Sequence, residues 1–245
     1  VGVFEKETPI PACAIKAQKI AVIGGGIAGA SVAYGLMQQG CSVTLFEKNE
    51  LASGGSGNIR GLCNPKFTAQ RGIEADFYSP AFALAQRVFK RISKTADVGY
   101  VPCGSLHLIN DAAKEKRFSG FSANWDWHSD HVRIVDAQGA SEVSGISLSH
   151  PAMYLPDAAM VSPRLIVAFL GQSARVIRAD VTCIHQTQEG WQVEGENYDA
   201  VVLTGGVEVN NFIQLAQLPL QKVRGQITLV KATADYLKLK TNLCY

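Results

Sequence analysis

Four consecutive apolar residues, Ile20-Ala21-Val22-Ile23, run directly into Gly24-Gly25-Gly26-Ile27-Ala28-Gly29. An apolar run without alternation marks a strand covered on both faces, as in a parallel sheet. The spacing that follows predicts a helix from about Ala28 to Gln39, ended by Gly40 in the left-handed conformation, and then a strand over Ser42 to Phe46 closed by Glu47. Further on, Glu74 to Ile92 reads as a helix with the apolar stripe Phe77, Ala81, Leu84, Val88 and Ile92, its cations Arg87, Lys90, Arg91 and Lys94 turned largely away. Ser105 to Ile109 alternates as a strand, Asp136 to Val143 forms a short helix, and Ala152 to Leu155 a strand before the turn at Pro156. Ser162-Pro163 pairs an N-cap serine with proline at the first helical position and starts a helix over Arg164 to Ser173. Val181 to Thr187 and Trp191 to Val193 flank Glu189-Gly190 as a hairpin, Ala200 to Thr204 is a buried strand ending in Gly205-Gly206, and Arg224 to Lys231 is a further strand. Strands and helices alternate early and late while the middle is strand-rich. The expected class is α/β, a Rossmann-like nucleotide domain interrupted by a smaller sheet domain.

The first segment carries chemistry as well as pattern. Strand, glycine turn, helix, second strand and terminal acid are the dinucleotide fingerprint in its proper context: Gly24 for the tight turn, Gly26 for close approach of a pyrophosphate, Gly29 for helix-on-strand packing. The helix N-terminus, including Ala28, turns N–H groups toward phosphate, and Glu47 can accept from a ribose hydroxyl.

Composition narrows the rest only a little. With 245 residues, 47% hydrophobic, the chain can bury an ordinary core, and a formal charge of +2 gives no global nucleic-acid or membrane signal. The six cysteines form no C-x-x-C pair and suggest no metal site, which reads as small reduced residues of a cytoplasmic protein. The uncharged stretch Ile20 to Met37 is long enough for a membrane span, but its glycines belong to the fingerprint, so no membrane segment is expected. Val1 to Gln18, Pro-bearing and mixed polar, reads as a linker, and the apolar ending Leu243-Cys244-Tyr245 suggests a piece of a longer polypeptide.

A second glycine-rich cluster, Ser53-Gly54-Gly55-Ser56-Gly57-Asn58 with Gly61 and Pro65, lets the backbone pass close to a large flat ligand while serine and asparagine supply hydrogen bonds. Together with Val202 to Gly206, Phe77 to Ile92 and Arg224-Gly225-Gln226, this pattern, G-x-S-G-N-x-x-G-x-x-x-P, resembles the glycine and D-amino-acid oxidase superfamily of FAD enzymes. Within it, the chain resembles the oxidoreductase modules of bifunctional enzymes that build methylaminomethyl-2-thiouridine at the tRNA wobble position. The resemblance implies FAD, held by Gly24, Gly26, Ala28, Gly29 and Glu47 on its ADP half and by Ser56, Gly57, Asn58 and Gly61 toward the flavin. It also implies adenine contact by the backbone of Val181 and passage of Thr204 and Gly205 beside the pyrophosphate.

On this resemblance, residues 19–98 and 157–216 form the FAD-binding domain and 99–156 and 217–245 the substrate domain, incomplete because the superfamily's enzymes continue further. The implied reaction oxidises a carboxymethylaminomethyl group on tRNA to an imine, whose hydrolysis releases glyoxylate. An S-adenosylmethionine-dependent methyltransferase module is implied upstream. Flavin amine oxidation needs orientation more than an acid–base pair, so no catalytic residue is singled out. The substrate carboxylate calls for a guanidinium, with Arg60 and Arg224 as candidates. His128, His131, Trp125 and Trp127 sit among Asp126 and Asp130 in what reads as a solvated polar loop, not a metal site. Two other readings stay open: an oxidase or dehydrogenase of free glycine, sarcosine or a D-amino acid, and a nucleotide-binding fragment without activity.

Overall fold

The computed structural model describes residues 18–65, 72–124, 127–223, 225–234 and 236–245. The expected linker up to residue 17 and the residues Trp125, Asp126 and Arg224 lie outside that set. In chain order the regular elements are β1 (Lys19–Ile23), α1 (Ile27–Gln38), β2 (Ser42–Glu47), β3 (Gly61–Cys63), α2 (Ile73–Ile92), β4 (Ser105–Leu108) and α3 (Ala112–Asn124). They continue with β5 (Arg133–Val135), α4 (Ala137–Ser144), β6 (Ala152–Leu155), β7 (Ala159–Val161), α5 (Pro163–Gly171) and β8 (Arg175–Arg178). The last are β9 (His185–Thr187), β10 (Gly190–Val193), β11 (Glu196–Tyr198), β12 (Ala200–Leu203) and β13 (Asn242–Cys244). Two compact units result, residues 1–57 with 170–224 and residues 58–169 with 225–245.

The first unit is built on a parallel sheet in the order β12-β1-β2-β8. Because side chains alternate along a strand, β1 feeds two cores. Ile20 and Val22 pack with Val43, Leu45 and Ala33 of α1, while Ala21 and Ile23 pack with Phe46, Val181, Ile184, Val193, Tyr198 and Phe212. The antiparallel strands β9-β10-β11 supply part of that second cluster. Tyr198 meets Phe46 edge-on at 6.0 Å between ring centroids. Each such fully buried side chain is worth about 1.5–3 kcal/mol of transfer free energy, which is why β1 needs no polar residue between Ile20 and Ile23. The expected hairpin is present as β9 and β10, but Val181 to Ile184 is not strand: Val181 and Ile184 are buried as plugs in the second cluster, and β11 adds a third strand.

The second unit contains a mixed sheet, β13-β4-β6-β5, in which β13 runs parallel to β4 and the other pairs are antiparallel. One face, Leu106, Leu108 and Ala152, packs with Ala140 and Val143 of α4. On the other face, Met153 and Leu155 pack under Phe118 and Phe121 of α3. Asp136 caps α4 by accepting from Gly139 N–H at 2.8 Å. A separate antiparallel pair joins β3 to β7.

Three further expectations differ from the structure. Helix α2 buries Ala75, Phe89 and Ile92, whereas Phe77 and Leu84 of the expected stripe are 66% and 56% exposed. The helix is apolar on more than one face, and its packing partners choose between faces that periodicity leaves equivalent. The strand expected over Arg224 to Lys231 is absent among the described residues, with Ile227, Leu229 and Val230 exposed. A strand needs a neighbour, and β13 takes the edge of β4. Finally, residues 58–98 and 157–169 group with the mixed sheet instead of with the parallel one, because β3, which touches α2, pairs with β7.

Candidate functional site

The glycine turn after β1 is held from three directions, all within the first unit. Gly24 N–H donates to Phe46 O at 2.8 Å, which ties the turn to β2. Gly24 has φ +113°, and a Cβ there would lie 2.8 Å from the Thr204 carbonyl carbon. A Cβ on Gly29 would fall 1.9 Å from Gly24 O and 2.7 Å from Thr204 Oγ1, so α1 approaches the turn as closely as backbone allows. Thr204 Oγ1 donates to Ile23 O and Gly24 O, both at 2.9 Å, and thereby fastens the end of β12 to the turn. Gly205 and Gly206 then open the 3-10 turn Gly206–Asn211.

The following loop is laced onto the same place. Glu47 Oε2 accepts from Gly25 N–H at 2.7 Å and Oε1 from Asn49 N–H at 3.0 Å. Both oxygens keep spare lone pairs, since a carboxylate offers about four acceptor positions. Ala52, buried with φ +62°, donates its N–H to Gly25 O at 2.9 Å. A non-glycine residue in the left-handed region is a strained feature that the surrounding contacts must hold. Gly26 stands at the N-cap of α1 without a side chain, and Ser56 Oγ fills the role by accepting from Ile27 N–H at 2.9 Å. The N–H groups of Gly26, Ala28 and Gly29 make no hydrogen bond to any described residue. Three open donors at a helix N-terminus, beside a carboxylate with spare lone pairs, fit the pyrophosphate and ribose of a dinucleotide. Gly57 closes the loop through its N–H to Gly54 O at 2.9 Å. Val181 is buried in the second cluster of this unit.

The remaining expected residues, Arg224 apart, belong to the second unit. Asn58 is exposed, and Gly61 starts β3 opposite Val161. Arg60 is exposed and its guanidinium lies beside Gly99, where a Cβ would come within 3.2 Å of it. Its expected role toward a carboxylate gains no partner from the geometry, and Arg224 is outside the described residues. His128 and His131 are exposed and pair with Asp130 at 3.3 Å and Asp157 at 2.5 Å. Trp127, expected in a solvated loop, packs against the Phe118 and Phe121 core. Among the described residues no group of three or more His, Cys, Asp or Glu could hold a metal ion, and no helix is long and apolar enough to cross a membrane.

One cluster escaped the sequence. His107 on β4 has its Nε2 3.4 Å from Asn64 Nδ2 and 3.3 Å from Ser105 Oγ. Burial, with Arg117 and Lys114 adding to it, pushes this imidazole down to about 4, so the ring is neutral at physiological pH. Nearby in sequence to Asn64, the Cys63 thiol is pushed up to about 11 by burial and stays protonated. The signal was the alternation itself: Ser105 and His107 are polar at the two positions that face away from the Leu106 and Leu108 core.

Known proteins share this architecture. The family model described as FAD dependent oxidoreductase matches residues 19–243. The tRNA 5-methylaminomethyl-2-thiouridine biosynthesis bifunctional protein MnmC of Nitrosospira multiformis is 34% identical over 91% of the chain and 38% of its own length. The MnmC protein of Hahella chejuensis is 30% identical over 100% of the chain and 41% of its length. The chain thus spans about two fifths of the curated relatives it matches. Among solved structures, L-proline dehydrogenase from P. horikoshii superposes with TM-score 0.64 at 20% identity, covering 83% of this chain and 57% of that one. Glycine oxidase from Geobacillus kaustophilus gives TM-score 0.60 at 21% identity, covering 78% and 55%. These likenesses reproduce the α/β fold, and the family match extends over nearly the whole chain: it belongs to the FAD dependent oxidoreductase family.

Proposed function

We propose that this protein uses FAD to oxidise the secondary amine of a carboxymethylaminomethyl group on the wobble uridine of tRNA. The observation that carries this reading is the match of relatives named for tRNA 5-methylaminomethyl-2-thiouridine biosynthesis over 91–100% of the chain. When bound, FAD would supply the two-electron oxidising power for the N–CH2 unit, the carbon giving up a hydride equivalent and the amine nitrogen a proton, so that the substrate becomes an imine. Water then adds to the imine carbon, and collapse of that adduct releases glyoxylate and the aminomethyl base. S-adenosylmethionine-dependent methylation of the freed amine is the matching next step, assigned to a companion module of the same polypeptide.

In this reading the first unit is the FAD-binding domain and the second the substrate domain. The open N–H groups of Gly26, Ala28 and Gly29 receive the pyrophosphate, and Glu47 shares its carboxylate between Gly25 N–H and the ribose. Ser56 and Gly57 hold the loop that leads to Asn58 and Gly61 on the flavin side, Val181 lies at the adenine, and Thr204 and Gly205 at the pyrophosphate. The exposed cations Arg87, Lys90, Arg91 and Lys94 on and just after α2 offer a phosphate-binding face to the tRNA backbone.

The test is anaerobic flavin absorbance of the purified holoprotein, mixed in turn with tRNA carrying carboxymethylaminomethyluridine and with free glycine or sarcosine. Bleaching by the tRNA alone is the expected result. Bleaching by the free amino acids alone overturns it in favour of a small-molecule amine oxidase.

A further inference from the structure

The second unit's mixed sheet has one face whose chemistry changes partway across. On β6 that face carries Met153 and Leu155, sealed under α3. One strand over, the register places Ser105 opposite Leu155 and His107 opposite Met153. On β13, Asn242 stands beside Ser105 and Cys244 beside His107. Asn64, which directly follows β3, joins this polar half.

The hydrogen bonds assign the ring's proton. An amide nitrogen can only donate, so Asn64 Nδ2 donates to His107 Nε2, and the Ser105 hydroxyl can donate to the same atom. With Nε2 accepting, the neutral ring carries its proton on Nδ1. That N–H finds no acceptor among the described residues. Lys114 and Arg117 of α3 bear on the same ring electrostatically, so the donor sits in a positive field. A neutral N–H donor with nearby cations and no acceptor of its own suits an anion, and a carboxylate in particular.

We propose that His107 is a substrate-binding residue whose Nδ1–H donates to the carboxylate of the amine substrate, with Asn64 and Ser105 fixing the tautomer and Lys114 and Arg117 supplying the field. This replaces the guanidinium expected at Arg60 with a neutral donor. The proposal rests on the amine-oxidation reading but is indifferent to whether the amine is on tRNA or free, because both substrates carry the carboxylate.

The test uses the holoprotein, whichever substrate bleaches the flavin, and an analogue with the carboxylate replaced by a carboxamide. His107→Leu should raise KM for the carboxylate substrate about tenfold, with kcat within about twofold. His107→Asn, which keeps a neutral donor where Nδ1 stands, should restore most of the loss. On the carboxamide, His107→Leu and the parent should be alike. Equal losses on both substrates, or a fall in kcat at constant KM, overturn the proposal. Should His107→Leu not fold, the double variant Lys114→Gln with Arg117→Gln should raise KM about threefold at low salt, and an unchanged KM counts against the assignment. Titration of the protein with glycolate, followed through the imidazole nitrogen resonances, separates this proposal from the functional one. A saturable shift at His107 Nδ1 supports it even if no amine is oxidised, and the absence of a shift overturns it.

Discussion

The parallel sheet of the first unit and the mixed sheet of the second use their faces differently. The first buries apolar residues on both sides, and its glycine turn, Glu47 and Thr204 meet at the strand ends. The second packs Leu106, Leu108 and Ala152 on one face, with Arg133 over Tyr154 at its β5 edge, and on the other face it passes from Met153 and Leu155 to Ser105 and His107. The lesson is that a sheet sealed on both faces makes a rigid frame with a site at its edge. A sheet left polar on half a face can place a titratable group within its own surface.

The contrast breaks most severely at Gly29. A Gly29→Ala Cβ would overlap Gly24 O, so the variant should lose about 3 kcal/mol or more of stability together with its flavin, read by thermal melting and by absorbance after desalting. Next comes acid. The folded pKa of His107 lies near 4, below its ordinary 6.5, so the unfolded chain binds more protons between those values. Its contribution is therefore complete above about pH 6.5 and is lost as the pH falls toward 4, by on the order of 3 kcal/mol. Urea midpoints of the parent and His107→Asn across that window should diverge, with the variant showing the shallower decline; parallel curves would mean that the ring is not held neutral. Ser56→Ala removes the acceptor of Ile27 N–H and should cost about 1 kcal/mol, with faster flavin release in gel filtration. Smallest of all, Gly54→Ala places a Cβ with nothing within 4 Å, and the melting curve should move by less than about 0.5 kcal/mol.

The two sheets were also unequally legible. The frame of the first was readable because β1, α1 and β2 follow without interruption, and an apolar run, a glycine turn and a helical period leave one arrangement of the three. Even there, Val181 and Ile184 look like strand and serve as core plugs, a choice that depends on Tyr198 arriving from β11. In the second unit, α3 carries only Phe118 and Phe121 as large buried apolar residues within a polar segment, too sparse a stripe to mark a helix. The three-residue strands β3, β5 and β7 exist through their partners and have no periodicity of their own. The polar half-face was missed for the same reason: Ser105, Asn64 and Asn242 come from distant stretches, and only the register of β13 on β4 and the bonds to His107 bring them together.

That long-range pairing governs how the molecule is made. Strand β1 leaves the ribosome with α1 and β2 close behind, but its other neighbour, β12, is encoded about 180 residues later. At about 5–20 residues per second, the open edge Lys19–Ile23 waits roughly 10 to 40 seconds for its partner. Strand β4 waits similarly for β13, across some 138 residues. During synthesis both sheets therefore expose an unpaired strand, and unit one cannot close until nearly all of unit two has been translated. The nascent chain's hazard is edge-to-edge association, and slower translation should worsen it.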